Sequence, residues 1–194
     1  MTAHEIDWLH DWDQAFAESQ QRNKPVLIAV KKKDDCIGCE QLGAYTYPAP
    51  AVHAAITERF VPLRFYHTDP KVRDLRLLWL PTNFIYDKRG HEHYRSINAL
   101  KPADFLDVLD IGEALVRMRW AEYGEAVARL EDAAARSTNG PMRAEALYYL
   151  GIARYFRGHH DHDVRDETWA ELVREFPDSI WTQRVPAVLE SAMV

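Results

Sequence analysis

The two cysteines of this 194-residue chain stand three positions apart, as Cys36-Ile37-Gly38-Cys39, after the apolar run Val26-Leu27-Ile28-Ala29-Val30 and a short charged link. That placement restricts the fold tightly. Two sulfurs at this spacing can close a small ring, and for exchange chemistry an outside thiol must still be able to open it. A strand delivering the first sulfur to a helix N-terminus also favours its thiolate, because the unpaired backbone N–H groups of the first turn point at it. Chemistry in this chain is therefore expected to start at Cys36.

The length suits one medium domain plus a smaller one, or a single extended domain. Apolar residues make up 47%, with six tryptophans, nine tyrosines and seven phenylalanines, enough for a packed core. A formal net charge of −6, with no basic stretch beyond Lys31-Lys32-Lys33, argues against nucleic acid as a partner. The lysine triplet reads as a solvated edge rather than a phosphate site. The opening residues, Met1 to Asp7, lack a basic region followed by an apolar one, and no apolar run approaches the roughly 20 residues a membrane span needs. The expectation is a cytoplasmic protein with no membrane partner. In a reducing compartment a close cysteine pair is catalytic, redox-sensing or metal-binding rather than a structural staple.

Apolar residues at Trp8, Leu9, Trp12, Ala15 and Phe16 predict a helix from Trp8 to Gln21, stopped by Asn23-Lys24-Pro25. After the strand through Val30, a helix from Cys39 to Tyr45 is expected. Tyr47-Pro48-Ala49-Pro50 is read as a break before a second helix, from about Ala51 to Arg59. Phe60 to Tyr66 reads as a strand with its proline near the start, where a ladder donor can be spared. Asp69 caps a short helix. Leu80-Pro81-Thr82 follows, then a strand through Tyr86, a turn at Asp87-Lys88-Arg89-Gly90 and a strand from His91 to Ile97. Pro102 opens a helix that continues to about Arg119.

Strand–helix–strand joined to a hairpin and a closing helix makes a mixed sheet with helices on both faces. This order, with a Cys-x-x-Cys at the end of the first core strand and Leu80-Pro81-Thr82 just before the hairpin, resembles the thioredoxin fold. Lys24-Pro25, Cys39-Glu40-Gln41-Leu42 and Phe60-Val61-Pro62 are similar to the thioredoxin-like subgroup with an extended helical segment after the motif. The resemblance covers about residues 5 to 118 and implies a cis-proline at Pro81 beside the sulfurs. It implies Cys36 as the attacking thiolate and Cys39 as the resolving thiol, with Ile37, Gly38, Leu80 and Pro81 contacting an extended substrate. The chain departs from the family at three places. Asp35 stands where a tryptophan usually precedes the first cysteine, and Gly38 where a proline precedes the second. The family's buried aspartate would align near Val30 and is missing, so proton transfer is expected to use water or Glu40. Lys31 to Lys33 favour the Cys36 thiolate and Asp34 and Asp35 oppose it, predicting a thiol less acidified than that of thioredoxin itself.

From Trp120 onward strand signals vanish and alanine-rich amphipathic stretches take over: Tyr123 to Arg136, Arg143 to Phe156 and Arg165 to Phe176. Ala144 to Tyr155 resembles a tetratricopeptide first helix and Trp169 to Ser179 its second, closed by Pro177. Asn139-Gly140-Pro141 is read as ending the preceding helix, and a capping helix is expected from about Ile180 to Met193. The predicted organisation is a thioredoxin-like α/β domain over residues 1–119 and an all-α, tetratricopeptide-like domain over 120–194. So few repeats rarely stand alone, which predicts packing of the tail on the first domain.

The rival chemistry is metal binding, since Cys36 and Cys39 have zinc-ligand spacing and His159-His160-Asp161-His162-Asp163 is rich in donors. A structural zinc takes four ligands, and that cluster belongs to a loop in a different module, so no metal is expected. His91 and His93 are expected to point the same way from a hairpin strand into water without holding a metal, Glu40, Asp69 and Arg73 to be helix-terminal charges, and His67 to neighbour the active-site face. No cofactor fingerprint appears. The expected function is a disulfide reductase acting on protein disulfides, recycled by an external thiol reductant system, with the repeats helping to choose a protein partner. The alternatives are a non-catalytic scaffold and a redox sensor.

Overall fold

The computed structural model describes residues 5–186. The chain divides into two compact units between Gly112 and Glu113, a division that falls inside one helix.

In the first unit, helix α1 (Trp12–Arg22) leads into strand β1 (Val26–Lys31), followed by the short helix α2 (Ile37–Gln41) and a π-helical turn over Leu42–Thr46. Helix α3 (Pro50–Arg59), strand β2 (Val61–Tyr66), a 3-10 turn (Pro70–Leu75), strands β3 (Thr82–Tyr86) and β4 (Glu92–Ile97) and the first part of helix α4 (Pro102–Arg119) complete the order. The sheet runs β2-β1-β3-β4, with β1 parallel to β2 and antiparallel to β3, and β3–β4 forming the hairpin. This is the mixed sheet expected from the element order.

Alternation decides which side each strand residue serves. Val26, Ile28 and Val30 of β1 join Val61, Leu63 and Phe65 of β2 and Phe84 and Tyr86 of β3 in one apolar core, closed by Ala15 and Phe16 of α1. Residues on the opposite phase, Ala29 and Ile85 among them, face the other helices. Gly112 lies so close to Ile85 that an added Cβ there would collide with it.

One boundary differs from the sequence reading. Trp8 and Leu9 are extended rather than helical: Leu9 forms a parallel bridge to Leu63, donating its N–H to Pro62 O at 2.9 Å and accepting from Arg64 N at 2.9 Å. The helix starts only after Asp11, whose carboxylate accepts from Gln14 N at 2.8 Å. A cap of this kind outweighs an apolar spacing that merely permits a helix.

In the second unit, α5 (Tyr123–Arg136), α6 (Gly140–Arg157) and α7 (His162–Glu175) follow one another, then a 3-10 turn at Thr182–Arg184. Asn139 opens α6 instead of closing α5, its side chain accepting from Met142 N at 3.4 Å with Pro141 in the first turn. Trp169 of α7 donates its indole N–H to Tyr148 O at 3.0 Å, and Arg154 of α6 reaches Glu131 of α5 at 2.8 Å. The region expected as a capping helix, Ile180 to Met193, is a 3-10 turn in its described part, and the rest lies outside the described residues.

Candidate active site

The last residues of β1 hand the chain to a bend at Lys33 to Asp35, with Asp35 in the left-handed region at φ 53°. Aspartate tolerates this conformation better than most residues, since its short polar side chain hydrogen-bonds locally. Cys36 then sits at the N-cap of α2, and its sulfur accepts the N–H of Cys39 at 3.3 Å. Cys39, one turn in, is 8% exposed, and its sulfur accepts the N–H of Lys32 at 3.4 Å. The two cysteines are closed as a disulfide with their Cα atoms 5.2 Å apart. One sulfur at the half-exposed cap and one shielded behind it is the asymmetry that an attacking and a resolving thiol require.

The Leu80–Pro81 bond is cis, as expected. Pro81 lies against the pair: a Cβ added at Gly38 would stand 2.9 Å from Pro81 Cδ and 3.0 Å from Asn98 Oδ1. Pro81 O accepts from Asn98 N at 2.7 Å, and Thr82 Oγ1 donates to Trp79 O at 2.6 Å, tying both ends of the proline segment. Cys36, Ile37 and Gly38 share a groove of about 870 Å³ with Leu80 and His67. Its rim is apolar and open, with Ile37 84%, Leu78 77% and Trp79 65% exposed. Leu78, Trp79 and Asn98 were not singled out from sequence. A run of Leu-Leu-Trp-Leu ahead of a proline was the available signal, because a bulky apolar segment between two short elements cannot all be buried.

Beneath Cys39 lies a smaller and more enclosed space of about 30 Å³, lined by Ala29, Lys31, Tyr47, Arg64 and Pro81 among others. Arg64, Ala29 and Asn83 are direct cross-strand partners on β2, β1 and β3, so their side chains share a face of the sheet. The Tyr47 hydroxyl donates to Asn83 Oδ1 at 2.7 Å. Burial pushes the Tyr47 pKa well above the ordinary phenol value, against the opposing effects of Asn83 and the Arg64 charge, so it stays neutral. Trp8 packs on Tyr47 with ring centroids 5.2 Å apart and on the Arg64 guanidinium at 5.6 Å. Sequence reasoning placed Arg64 in its strand and Tyr47 in a break, without linking either to the sulfurs.

The remaining candidates fall elsewhere. Asp161 caps α7 through Asp163 N at 3.0 Å, and His160 and His162 pack on Tyr155 with ring centroids 5.1 and 5.0 Å away. Among the described residues no three His, Cys, Asp or Glu side chains group as metal ligands. His91 and His93 do more than face water: both reach Asp87 Oδ2, at 3.3 and 3.1 Å. Glu40 lies in the first turn of α2, and Asp69 caps the 3-10 turn that contains Arg73. Among the described residues no helix is long and apolar enough to cross a membrane.

A family model described as thioredoxin-like matches residues 7–88, the stretch from the Leu9 bridge to the β3–β4 turn. Similar solved structures include a thioredoxin from Thermus thermophilus, 23% identical, covering 53% of this chain and 83% of that one at a TM-score of 0.47. Another is the oxidised C-terminal domain of DsbD from Neisseria meningitidis, 24% identical, covering 50% of this chain and 92% of that one at a TM-score of 0.43. No curated protein matches the chain significantly. The family match together with the Cys-x-x-Cys pair supports a thiol–disulfide oxidoreductase type of function. Residues 7–88, in which Cys36 and Cys39 open the helix that follows the first sheet strand, are a thioredoxin-like domain, and a helical region follows it.

Proposed function

We propose that the protein is a cytoplasmic disulfide reductase for protein substrates. The observation that carries this reading is the half-exposed Cys36 sulfur at the mouth of an apolar groove, with the buried Cys39 sulfur one helical turn behind it. A substrate disulfide docks across Leu80 and Pro81, with Ile37 giving an apolar contact and Gly38 a close backbone approach. In the reduced protein the Cys36 thiolate attacks one substrate sulfur. A mixed disulfide forms, and the second substrate sulfur leaves as a thiolate. Cys39 then loses its proton and attacks Cys36, closing the internal disulfide and freeing the first substrate sulfur. Two electrons have passed from the pair to the substrate, and a thiol reductant of the cytoplasm restores them.

Insulin-disulfide reduction by the purified protein tests the reading. Cys36→Ser abolishes activity with the fold intact, whereas Cys39→Ser accumulates a mixed disulfide, because attack survives and resolution does not. Equal residual activity in both variants, or no activity in the unmodified protein, overturns the reductase and favours a scaffold or sensor. The helical region helps select the partner in this proposal. The support is compositional: an alanine-rich amphipathic series with tetratricopeptide-like spacing.

A further inference from the structure

The reductase reading leaves one requirement open, the acceptance of a proton from a buried thiol. Burial in apolar surroundings raises a thiol pKa, and Cys39 must become a thiolate to resolve the mixed disulfide. The position where the thioredoxin resemblance expects a buried carboxylate is Val30, which faces the opposite, apolar core. What surrounds Cys39 instead is a set of donors and cations.

The Lys32 N–H already points at the Cys39 sulfur from 3.4 Å. On the inner side, the 30 Å³ cavity is lined by the cationic residues Lys31 and Arg64 and the neutral Tyr47, and by no carboxylate. Ala29 stands between Arg64 and Asn83 in the cross-strand row, and its small side chain leaves that space open. Arg64 Nε and Asn83 Nδ2 are both sealed from solvent and, among the described residues, find no hydrogen-bond acceptor. Asn83 itself is 1% exposed, and its amide orientation is set by the Tyr47 hydroxyl on its oxygen. Buried donors without acceptors are costly, about 1–3 kcal/mol each, so two in one row mark an environment complementary to an anion. On the outer side, Cys39 shares a cleft with Lys32, Lys33, Asp34 and Glu40, whose mixed charges are solvent-screened. Glu5 faces Arg64 from a neighbouring hollow and is exposed.

We propose that Arg64 is a positioning residue for the resolving step: held by Trp8 on the sheet row Arg64–Ala29–Asn83, its charge stabilises the Cys39 thiolate from below. This inference rests on the reductase reading. With the cation fixed in place, Cys39 gives its proton to solvent or to the outer cleft, and no buried carboxylate is needed. The thiolate forms a bond to Cys36, the Cys36–substrate bond breaks, and the departing substrate thiolate takes up a proton.

The test titrates Cys39 as the single thiol of the reduced Cys36→Ser protein, following thiolate absorbance, with and without Arg64→Met. The expected result is a midpoint raised by about one pH unit in the Met variant, and one close to the starting value in Arg64→Lys, which keeps the charge. In otherwise unmodified protein at pH 7, Arg64→Met slows release of the mixed disulfide by about threefold. A tenfold loss of thiolate is partly offset by the greater nucleophilicity of a more basic sulfur. Alkylation of Cys36 proceeds at an unchanged rate. Arg64→Gln carries the same test if the Met variant fails to fold. An unmoved Cys39 midpoint overturns the proposal, as does slow release in Glu40→Gln with none in Arg64→Met, which assigns the proton to Glu40. Absence of any exchange by the unmodified protein overturns the reductase reading alone, since the titration still reports the arginine.

Discussion

Gly38 occupies a position where a side chain has no room. Its missing Cβ would press on the Pro81 ring, which cannot swing aside, and on Asn98. Gly38→Ala therefore shifts the proline segment away from the cysteines, at a cost of about 1–3 kcal/mol. A lower urea midpoint, together with altered Cys36 alkylation, checks this; an unchanged protein on both counts shows that the segment yields freely. Asp87 at the β3–β4 turn is a second residue with a measurable signature. Burial alone would raise its pKa, but the N–H groups of His91 and Arg89 and the two imidazoles outweigh it and hold the carboxyl at about 2. A depressed folded-state pKa contributes stability above the unfolded value near 4, which is lost as pH falls toward 2, here about 2 kcal/mol. Denaturant unfolding of Asp87→Asn should accordingly show its largest deficit at neutral pH, shrinking between pH 4 and pH 2. A deficit independent of pH would mean that the turn is held by shape and not by the charge.

At the scale of elements, much was legible because strand and helix periods differ. The apolar-rich run Phe60 to Tyr66, with its proline near the start, identified β2 (Val61–Tyr66), and the amphipathic pattern placed α5 at the ends observed, Tyr123 and Arg136. The cysteine pair was legible because exchange chemistry needs two sulfurs at this spacing after a strand, and Pro81 through the resemblance to the thioredoxin fold. What escaped was the use of the other face of β2. Pattern reading shows that Arg64 points away from Phe65, but not that Ala29 and Asn83 stand level with it, since register across non-adjacent segments leaves no local trace. Trp8 escaped for a related reason, because only the partner strand makes Leu9 extended. In the second unit, α6 and α7 meet at Gly151, where an added Cβ would lie 2.5 Å from Trp169 Nε1. Alanine is the better helix former by about 1 kcal/mol, yet the indole is held by its bond to Tyr148 O and cannot retreat. Overpacking at about 1–3 kcal/mol wins. Gly151→Ala should lower the thermal midpoint, and a rise would show that Trp169 repacks.

On the scale of the whole molecule, the division into units falls within α4, so the helix that closes the thioredoxin-like part also begins the helical region. Glu113, on the far side of that division, is buried and paired with Arg117 at 3.2 Å and with Arg129 of α5 at 3.2 Å. Truncation after Met118 removes Arg129 and leaves a nearly buried carboxylate without one of its arginine partners, beside the apolar Ala114 and Val116. Removing one partner of a buried carboxylate costs more than that pair contributes when intact, even where the other arginine stays. The truncated protein is expected to be less stable or less soluble than the full chain. Its reaction with small disulfides should persist, because the sulfurs, Pro81 and the groove are all drawn from residues 32 to 99. Comparing a small aromatic disulfide with a protein disulfide separates the two roles of the helical region. Loss of the second activity alone supports partner selection by α5–α7, while equal stability and equal rates on both substrates would make the region an independent module and remove it from the reductase altogether.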